Sequence, residues 1–364
     1  MLRIKLIDRY ILRKFISVWC LSIVMFLSIF HIVDVIEKID KFLKYNLSLK
    51  QVLTIYYYQL PWFIDMTIPM SVLLASVFTI GNLAKHNELT AIKSSSISMY
   101  RLSAPIIITG IIICVSTFFF EDMVMIPANV VKFDLENEWM RKHRKYNKSV
   151  FDNITFQESK DCNIVIKRFY LNENMGRTIT IQRNHKNSLE QRIDAKKMIW
   201  LDEQKKWELR YLVIRRFDEQ SNEIASEMIS DTLLYLDFEP SDISMLNRKP
   251  EEMQYGELKK FIGRMKASGN DTKKLEVNLY FKTAFPMTCL IVILIGFPIT
   301  AFKTRKNTSF GAGVSLVIIF FYYGFIKFGQ VLGFNGSLPP LYAAWLGNFV
   351  FMTLGSLLFY NIKQ

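Results

Sequence analysis

Six strongly apolar runs punctuate this chain, three before and three after a polar block at about residues 128–276. They are about Phe15–Ile36, Val52–Leu83, Ala104–Ile126, Val277–Phe302, Gly311–Gly333 and Leu338–Tyr360. Each has at least the roughly 20 residues an α-helix needs to cross a bilayer, so each predicts one span. Pro61 and Pro69 interrupt the second run and predict a kinked or two-part helix. Pro127 predicts the end of the third. A polar island, Ala84–Ser103, separates the second run from the third.

The polar block has another period. Asn163–Tyr170 (NIVIKRFY), Thr178–Gln182 (TITIQ), Trp207–Arg216 (WELRYLVIRR) and Thr232–Phe238 (TLLYLDF) alternate apolar and polar residues, as half-buried strands do. Asn172-Glu173-Asn174 and Asp202-Glu203-Gln204 supply turns between them. Several short antiparallel strands at this spacing predict a sandwich or jelly roll. Pro250–Ser268, closed by Gly269, reads instead as an amphipathic helix. The expected fold is therefore membrane α-helical, six transmembrane helices with an inserted all-β, jellyroll-like domain. Residues 1–127 hold spans one to three, 128–276 the β domain and its C-terminal helix, and 277–364 spans four to six.

A net charge of +13 invites a nucleic-acid reading. Its distribution removes it. The polar block carries 28 Lys and Arg against 25 Asp and Glu, and the remaining +10 flanks the apolar runs. Charge placed there sets topology, so no nucleic-acid partner is expected. With the N-terminus inside, the inner segments hold Arg3, Lys5, Arg9, Arg13, Lys14, Lys85, Lys93, Arg101, Lys303, Arg305, Lys306 and Lys363. The short outer loops hold only Lys38, Lys41, Lys44 and Lys50. Both termini are thus expected in the cytoplasm and the β domain outside, in the periplasm of a two-membrane cell. The first run is too long for a signal-peptide core and no small-residue cleavage site follows it, so it reads as a retained span. Cys20, Cys114 and Cys289 fall in apolar runs, and Cys162 is alone in the polar block, which predicts small packing residues rather than disulfides or a metal site.

Catalytic motifs are absent. The chain has no GxxxxGK[ST], HExxH or GxSxG, and His31, His86, His143 and His185 lack metal-ligand spacing. The expectation is a non-catalytic membrane subunit with no cofactor of its own. Two polar features invite a role. On the island, Glu88, Ala91, Ile92 and Ser95 share one face of a short helix lying along the inner surface. It reads either as a docking element for a separate ATPase or as an interfacial helix anchored by Lys93 and Arg101. Near or within the spans, His31, Asp34, Asp65, Lys282 and Lys327 each cost roughly 2.5–3.5 kcal/mol to leave in lipid. With Lys38, Lys41 and Lys44 they form either a cationic collar for a phosphorylated amphiphile or salt bridges among themselves, Asp65 with Lys282 or Lys327.

Several strings in order resemble the permease family of the lipopolysaccharide export ABC transporter (LptF/LptG). They are LIDRYILRKF (Leu6–Phe15), NEL…IKSSSIS…RLSAP (Asn87–Pro105), IDAKKMIWLDEQKKWEL (Ile193–Leu209), Pro250–Pro286, and FGQVLGFNGSLPPLYAAWLGN (Phe328–Asn348). The opening string is closer to LptG. The resemblance covers essentially the whole chain and implies an inner-membrane half-transporter. It would pair with a homologous LptF-like or LptG-like permease and dock a dimeric cytoplasmic LptB-like ATPase, which holds ATP and Mg. Lipopolysaccharide would be drawn from the inner membrane and passed to LptC-like and LptA-like periplasmic jellyroll proteins. By position, Glu88 matches the family's acidic coupling-helix residue and Lys41 a basic position near the outer end of span one. Two departures stand out. Ser96 replaces a glycine near the end of the coupling helix. His31 stands where some members have lysine, so any phosphate contact it makes is expected to weaken as pH rises through its pKa. The reading from a different class is a non-transporting envelope anchor that presents a β domain.

Overall fold

The computed structural model describes residues 6–140, 150–159, 161–185, 188–218, 220, 222–236, 238–240, 243, 245, 248–267, 270–302 and 308–362. Six cations of the expected inner charge, Arg3, Lys5, Lys303, Arg305, Lys306 and Lys363, lie outside the described residues, as does Gly269. The chain forms two compact units, residues 1–140 with 273–364, and residues 141–272.

The first unit is helical. It contains α1 (Leu6–Lys44), α2 (Leu49–Lys85), α3 (Glu88–Ser94), α4 (Met99–Phe120), a π-helical turn (Glu121–Met125) and α5 (Ile126–Met140). After α6 (Tyr255–Ala267), which belongs to the second unit, follow α7 (Lys273–Phe302), α8 (Thr308–Phe334) and α9 (Pro340–Tyr360). Six helical stretches among the described residues are long and apolar enough to cross a membrane: α1, α2, α4 through α5, α7, α8 and α9.

Polar punctuation sets several boundaries. Ser48 caps α2 in a reciprocal box: its Oγ accepts from the Gln51 N–H, and Gln51 Oε1 accepts from the Ser48 N–H. Ser98 Oγ accepts the Arg101 N–H and starts α4.

Helix α2 is one continuous element through Pro61 and Pro69, so of the two forms expected the two-part helix is not the one found. Around Pro69, hydroxyls take up backbone carbonyls: Thr67 donates to Ile64 O, Ser71 to Ile68 O and Tyr323 to Met66 O. Pro69 withholds the donor that Asp65 O would otherwise receive, next to these carbonyls, and local hydroxyl bonds of this kind help an apolar helix carry a proline. Pro127 does not end the third span either, because the helix continues to Met140. The turn just before it is π-helical, and a widened turn relieves the clash between the proline ring and the carbonyl four residues back.

The main core of this unit joins α1, α2, α3, α4, α7 and α8, with Phe15, Leu73, Leu83, Leu89, Ile106 and Phe297 at 2% exposure or less. Helices α2 and α7 approach closely at Gly296, where a Cβ would sit 2.7 Å from Leu73 and 3.2 Å from Val77. Small residues make such contacts possible in membranes.

The second unit is all-β with α6 after it. Among the described residues its sheet has six antiparallel strands in sequential order. They are β1 (Val150–Ser159), β2 (Cys162–Tyr170), β3 (Met175–His185), β4 (Ser188–Leu201), β5 (Lys206–Phe217) and β6 (Glu223–Leu234). One face is apolar. Ile164, Ile166, Ile179, Ile181, Trp207 and Leu209 pack with Leu236, Phe238 and Ile243 in one cluster. Trp207 is fully buried; its Nε1 donates to Phe238 O at 2.9 Å, and the rings of Trp200, Phe238 and Phe169 surround it.

A single register row interrupts the pairing in every strand. Asn153, Lys167, Thr178, Lys196, Tyr211 and Ser230 are skipped in turn. Asn153, Thr178 and Tyr211 there have φ of 54°, 54° and 53°, uncommon for residues with a side chain. Across this row the buried parity switches: Ile166 then Phe169 in β2, Ala195 then Met198 in β4, Leu209 then Leu212 in β5. Two consecutive residues point outward at the switch. The sheet is thus creased along one line, and the same side stays apolar on both halves.

Helix α6 buries Leu258, Phe261 and Ile262. It begins at Tyr255, five residues later than the sequence pattern predicts, because Pro250–Glu252 forms a separate 3-10 turn.

Candidate functional site

The polar side chains of the helical unit gather in three places. At the start of α1, the short helix α3 is tied down by one carboxylate. Glu88 accepts from Tyr10 Oη at 2.7 Å and from Lys14 Nζ at 3.0 Å on both oxygens. Close by in sequence, Arg101 at the start of α4 grips Asp8 with two bonds of 2.9 and 2.7 Å, the fork geometry that suits guanidinium and carboxylate. Burial works against the Glu88 carboxylate, but the hydrogen bonds from Tyr10 and Lys14 outweigh it and hold its carboxyl below the ordinary value of 4.5. Of the face expected on this helix, Ile92 packs on the core together with Leu89, whereas Ala91 and Ser95 are exposed. A partner approaching α3 therefore meets small residues, with Glu88 committed to α1.

Helix α3 is only seven residues long, and Ser96, just after its C-cap Ser95, has a φ of +58°. Left-handed backbone costs an ordinary residue about 1–2 kcal/mol, which accounts for the glycine of the resembling family at this position. Ser96→Gly should leave thermal stability unchanged or raise it by about 1 kcal/mol, whereas Ser96→Val should lower it by at least about 1 kcal/mol. Melting curves of the two purified variants would check this.

The second gathering lies towards the other end of α1. Asp34 accepts from Tyr56 Oη (2.9 Å) and Gln59 Nε2 (3.3 Å) and pairs with Lys38 Nζ (2.9 Å). Lys38 also donates to Gln59 Oε1 at 3.4 Å. His31 stacks obliquely on Phe63 (4.5 Å) and Tyr56 (5.8 Å), with Nδ1 2.8 Å from Leu27 O. From α5, buried Lys132 pairs with Glu136 at 3.6 Å and feels the charges of Lys38 and Asp34. Lys41 and Lys44 are exposed in the last turn of α1, where the helix dipole favours cations.

The third gathering is buried in the bundle. Lys282 on α7 reaches Glu121 in the π-helical turn at 3.1 Å, both nearly inaccessible. Asp65 on α2 is 6% exposed and within electrostatic reach of both. Its Oδ1 has no hydrogen-bond partner among the described residues. The six cationic positions expected to line one collar have different immediate surroundings. Lys38, Lys41, Lys44 and His31 share α1, Lys282 is held by Glu121, and Lys327 donates to Gln330 Oε1 at 3.1 Å. Sequence reasoning passed over Glu121, Lys132 and Glu136. The Glu121-Asp122 pair inside an apolar run was the available signal, since a carboxylate there demands a countercharge.

Helix α1 is the least covered of the spans. Leu21, Ile32 and Ile36 are 71%, 60% and 67% exposed on its flank. Apolar surface of this kind suits lipid or another membrane helix.

A sequence model of the family described as lipopolysaccharide export system permease LptF/LptG matches residues 9–361, nearly the whole chain. Comparison with curated proteins gives no match.

Proposed function

We propose, from the premise that this chain belongs to the LptF/LptG family of lipopolysaccharide export permeases, that it is one half of an ABC-type exporter powered in trans. As a family member it is a multi-pass inner-membrane transport subunit rather than an enzyme. Beyond that, we read α3 as the element that receives force from a cytoplasmic ATPase. The bare flank of α1 would be the side open to a homologous permease and to the lipid it takes up. The exposed Lys41 and Lys44, with the Asp34–Lys38 cluster behind them, would meet the phosphates of the lipid as it leaves the bilayer. The β unit would lie in the periplasm and pass the lipid to other jellyroll proteins.

The observation that carries this reading is the Glu88 clamp. A seven-residue helix with exposed small residues is fixed to the first span by a carboxylate bonded to Tyr10 and Lys14. Displacement of α3 would therefore be transmitted directly to α1. Glu88→Lys should reverse that attraction, and co-purification in mild detergent tests it. The native chain should bring down a homologous six-span chain and a nucleotide-binding subunit with ATPase activity, and Glu88→Lys should lose most of the latter. A chain that purifies alone under several detergents, without ATPase activity, would overturn the proposal in favour of an envelope anchor.

The clamp also has a pH signature. A carboxyl held below 4.5 contributes stability that is fully present above that value and lost as pH falls through its lowered folded value. Coupled ATPase activity measured between about pH 6 and 8 should thus show no titration that Glu88→Gln removes.

A further inference from the structure

The outer side of the crease in the β sheet is lined with cations. In one register row Arg168, Arg177, Lys197 and Arg210 stand opposite one another on four consecutive strands. Lys167 and Lys196 lie in the adjoining row. All are exposed except the half-buried Lys197. Adjacent strands are about 4.8 Å apart, so the row of four extends over roughly 14 Å. Like charges directly opposite on neighbouring strands oppose pairing, and a fold has no internal use for four in line.

Internal compensation is partial. Arg168 pairs with Asp152 at 3.0 Å, Arg210 with Glu208 at 2.8 Å, and Arg177 lies over the Tyr170 ring. Lys167, Lys196 and Lys197 have no ion pair among the described residues. The register places acids only at the two ends of the row, Asp152 on β1 and Asp231 on β6.

We propose that this basic ridge docks on the anionic phospholipid headgroups of the membrane that the chain spans. Charge complementarity favours that occupant over others. The rows contain one exposed aromatic residue, Tyr211, and no apolar centre, whereas protein interfaces concentrate affinity in buried aromatic and apolar anchors and are poor in lysine. A transported amphiphile needs a continuous apolar surface beside its charges, and here the apolar cluster faces the opposite side of the sheet, the outer face carrying only scattered residues such as Val165 and Met228. An anionic bilayer needs only a line of exposed cations, each strengthening contact about fivefold near the surface. It is also the polyanion always present around a chain with six membrane-crossing helices.

The test compares the full chain in nanodiscs of phosphatidylcholine alone with discs that also contain phosphatidylglycerol. Amine-reactive labelling of Lys167, Lys196 and Lys197 is read by peptide mass spectrometry, with exposed Lys206 at the start of β5 as the internal reference. The ridge lysines should label severalfold more slowly than Lys206 only in the anionic discs. Near 1 M salt, where screening is complete within about 3 Å, the difference should vanish. In the outward-facing double variant Arg177→Gln/Lys197→Gln, protection of Lys167 and Lys196 should fall at least fivefold. Equal labelling in both discs at low salt would overturn the proposal. So would protection that arises in phosphatidylcholine discs only on adding lipopolysaccharide, which would assign the ridge to the cargo, or only on adding an acidic periplasmic protein.

Discussion

Lys282→Ala should destabilise the helical unit by about 3–5 kcal/mol, the usual cost of removing one partner from a buried ion pair. The substitution leaves Glu121 without its 3.1 Å contact and removes the cation that acts on Asp65, whose Oδ1 already lacks a partner among the described residues. Thermal unfolding of the purified chain would register the loss. A second substitution separates this role from contact with cargo. If Lys282 serves the pair, Lys282→Ala/Glu121→Gln should recover much of the lost stability, because the stranded charge goes with its partner. If Lys282 instead serves mainly to bind lipid phosphate, the double variant should be no more stable than the single one. Equal melting of native chain and Lys282→Ala would refute the structural assignment outright.

Trp207→Ala should be as costly, about 3–5 kcal/mol, and its effect should be confined to the β unit. The indole is fully buried, donates to Phe238 O, and has ring centroids of Trp200, Phe238 and Phe169 at 5.0, 5.1 and 6.2 Å. Truncation would open a large cavity where both halves of the creased sheet meet the segment around Leu236–Ile243. Limited proteolysis of the full chain gives the readout. Residues 141–272 should become rapidly cleaved while the helical unit stays intact; uniform resistance would show that the remaining rings close the cavity.

The six spans were legible because a bilayer demands long apolar runs and the chain supplies them without ambiguity. Strands β2, β3 and β5 were legible for a related reason, since each alternates against one buried face. Strand β6 was not. Nearly all of Glu223–Leu234 is exposed on both faces, so no alternation marks it, and TLLYLDF reaches the strand only at Thr232–Leu234. The crease was hidden by its own chemistry. Ile166-Lys-Arg-Phe169 and Ala195-Lys-Lys-Met198 look like broken alternation until the register aligns them. At the membrane sites, sequence flagged His31, Asp34, Asp65, Lys282 and Lys327 as residues needing partners or a cavity. It could not pair them, because contacts between helices depend on rotation about each axis, which an apolar run leaves unspecified. That Lys282 pairs with Glu121 rather than with Asp65 depends on the π-helical turn at Glu121–Met125, a local change of pitch with no composition signal.

The split of this buried charge cluster between the two ends of the chain has a consequence for biosynthesis. Asp65 and Glu121 are made with the first helices, and Lys282 follows only after the β unit, residues 141–272, has been synthesised. At about 5–20 residues per second that gap is on the order of ten seconds. The sheet can use it: every strand pairs with its neighbour in sequence, the local connectivity that folds quickly. The first three spans cannot settle in that time, because their finished packing would bury two carboxylates with no cation to meet them. A ribosome-released fragment ending before α7 should therefore be held open, and cleared by membrane quality control, until a countercharge from the late half arrives to close the bundle.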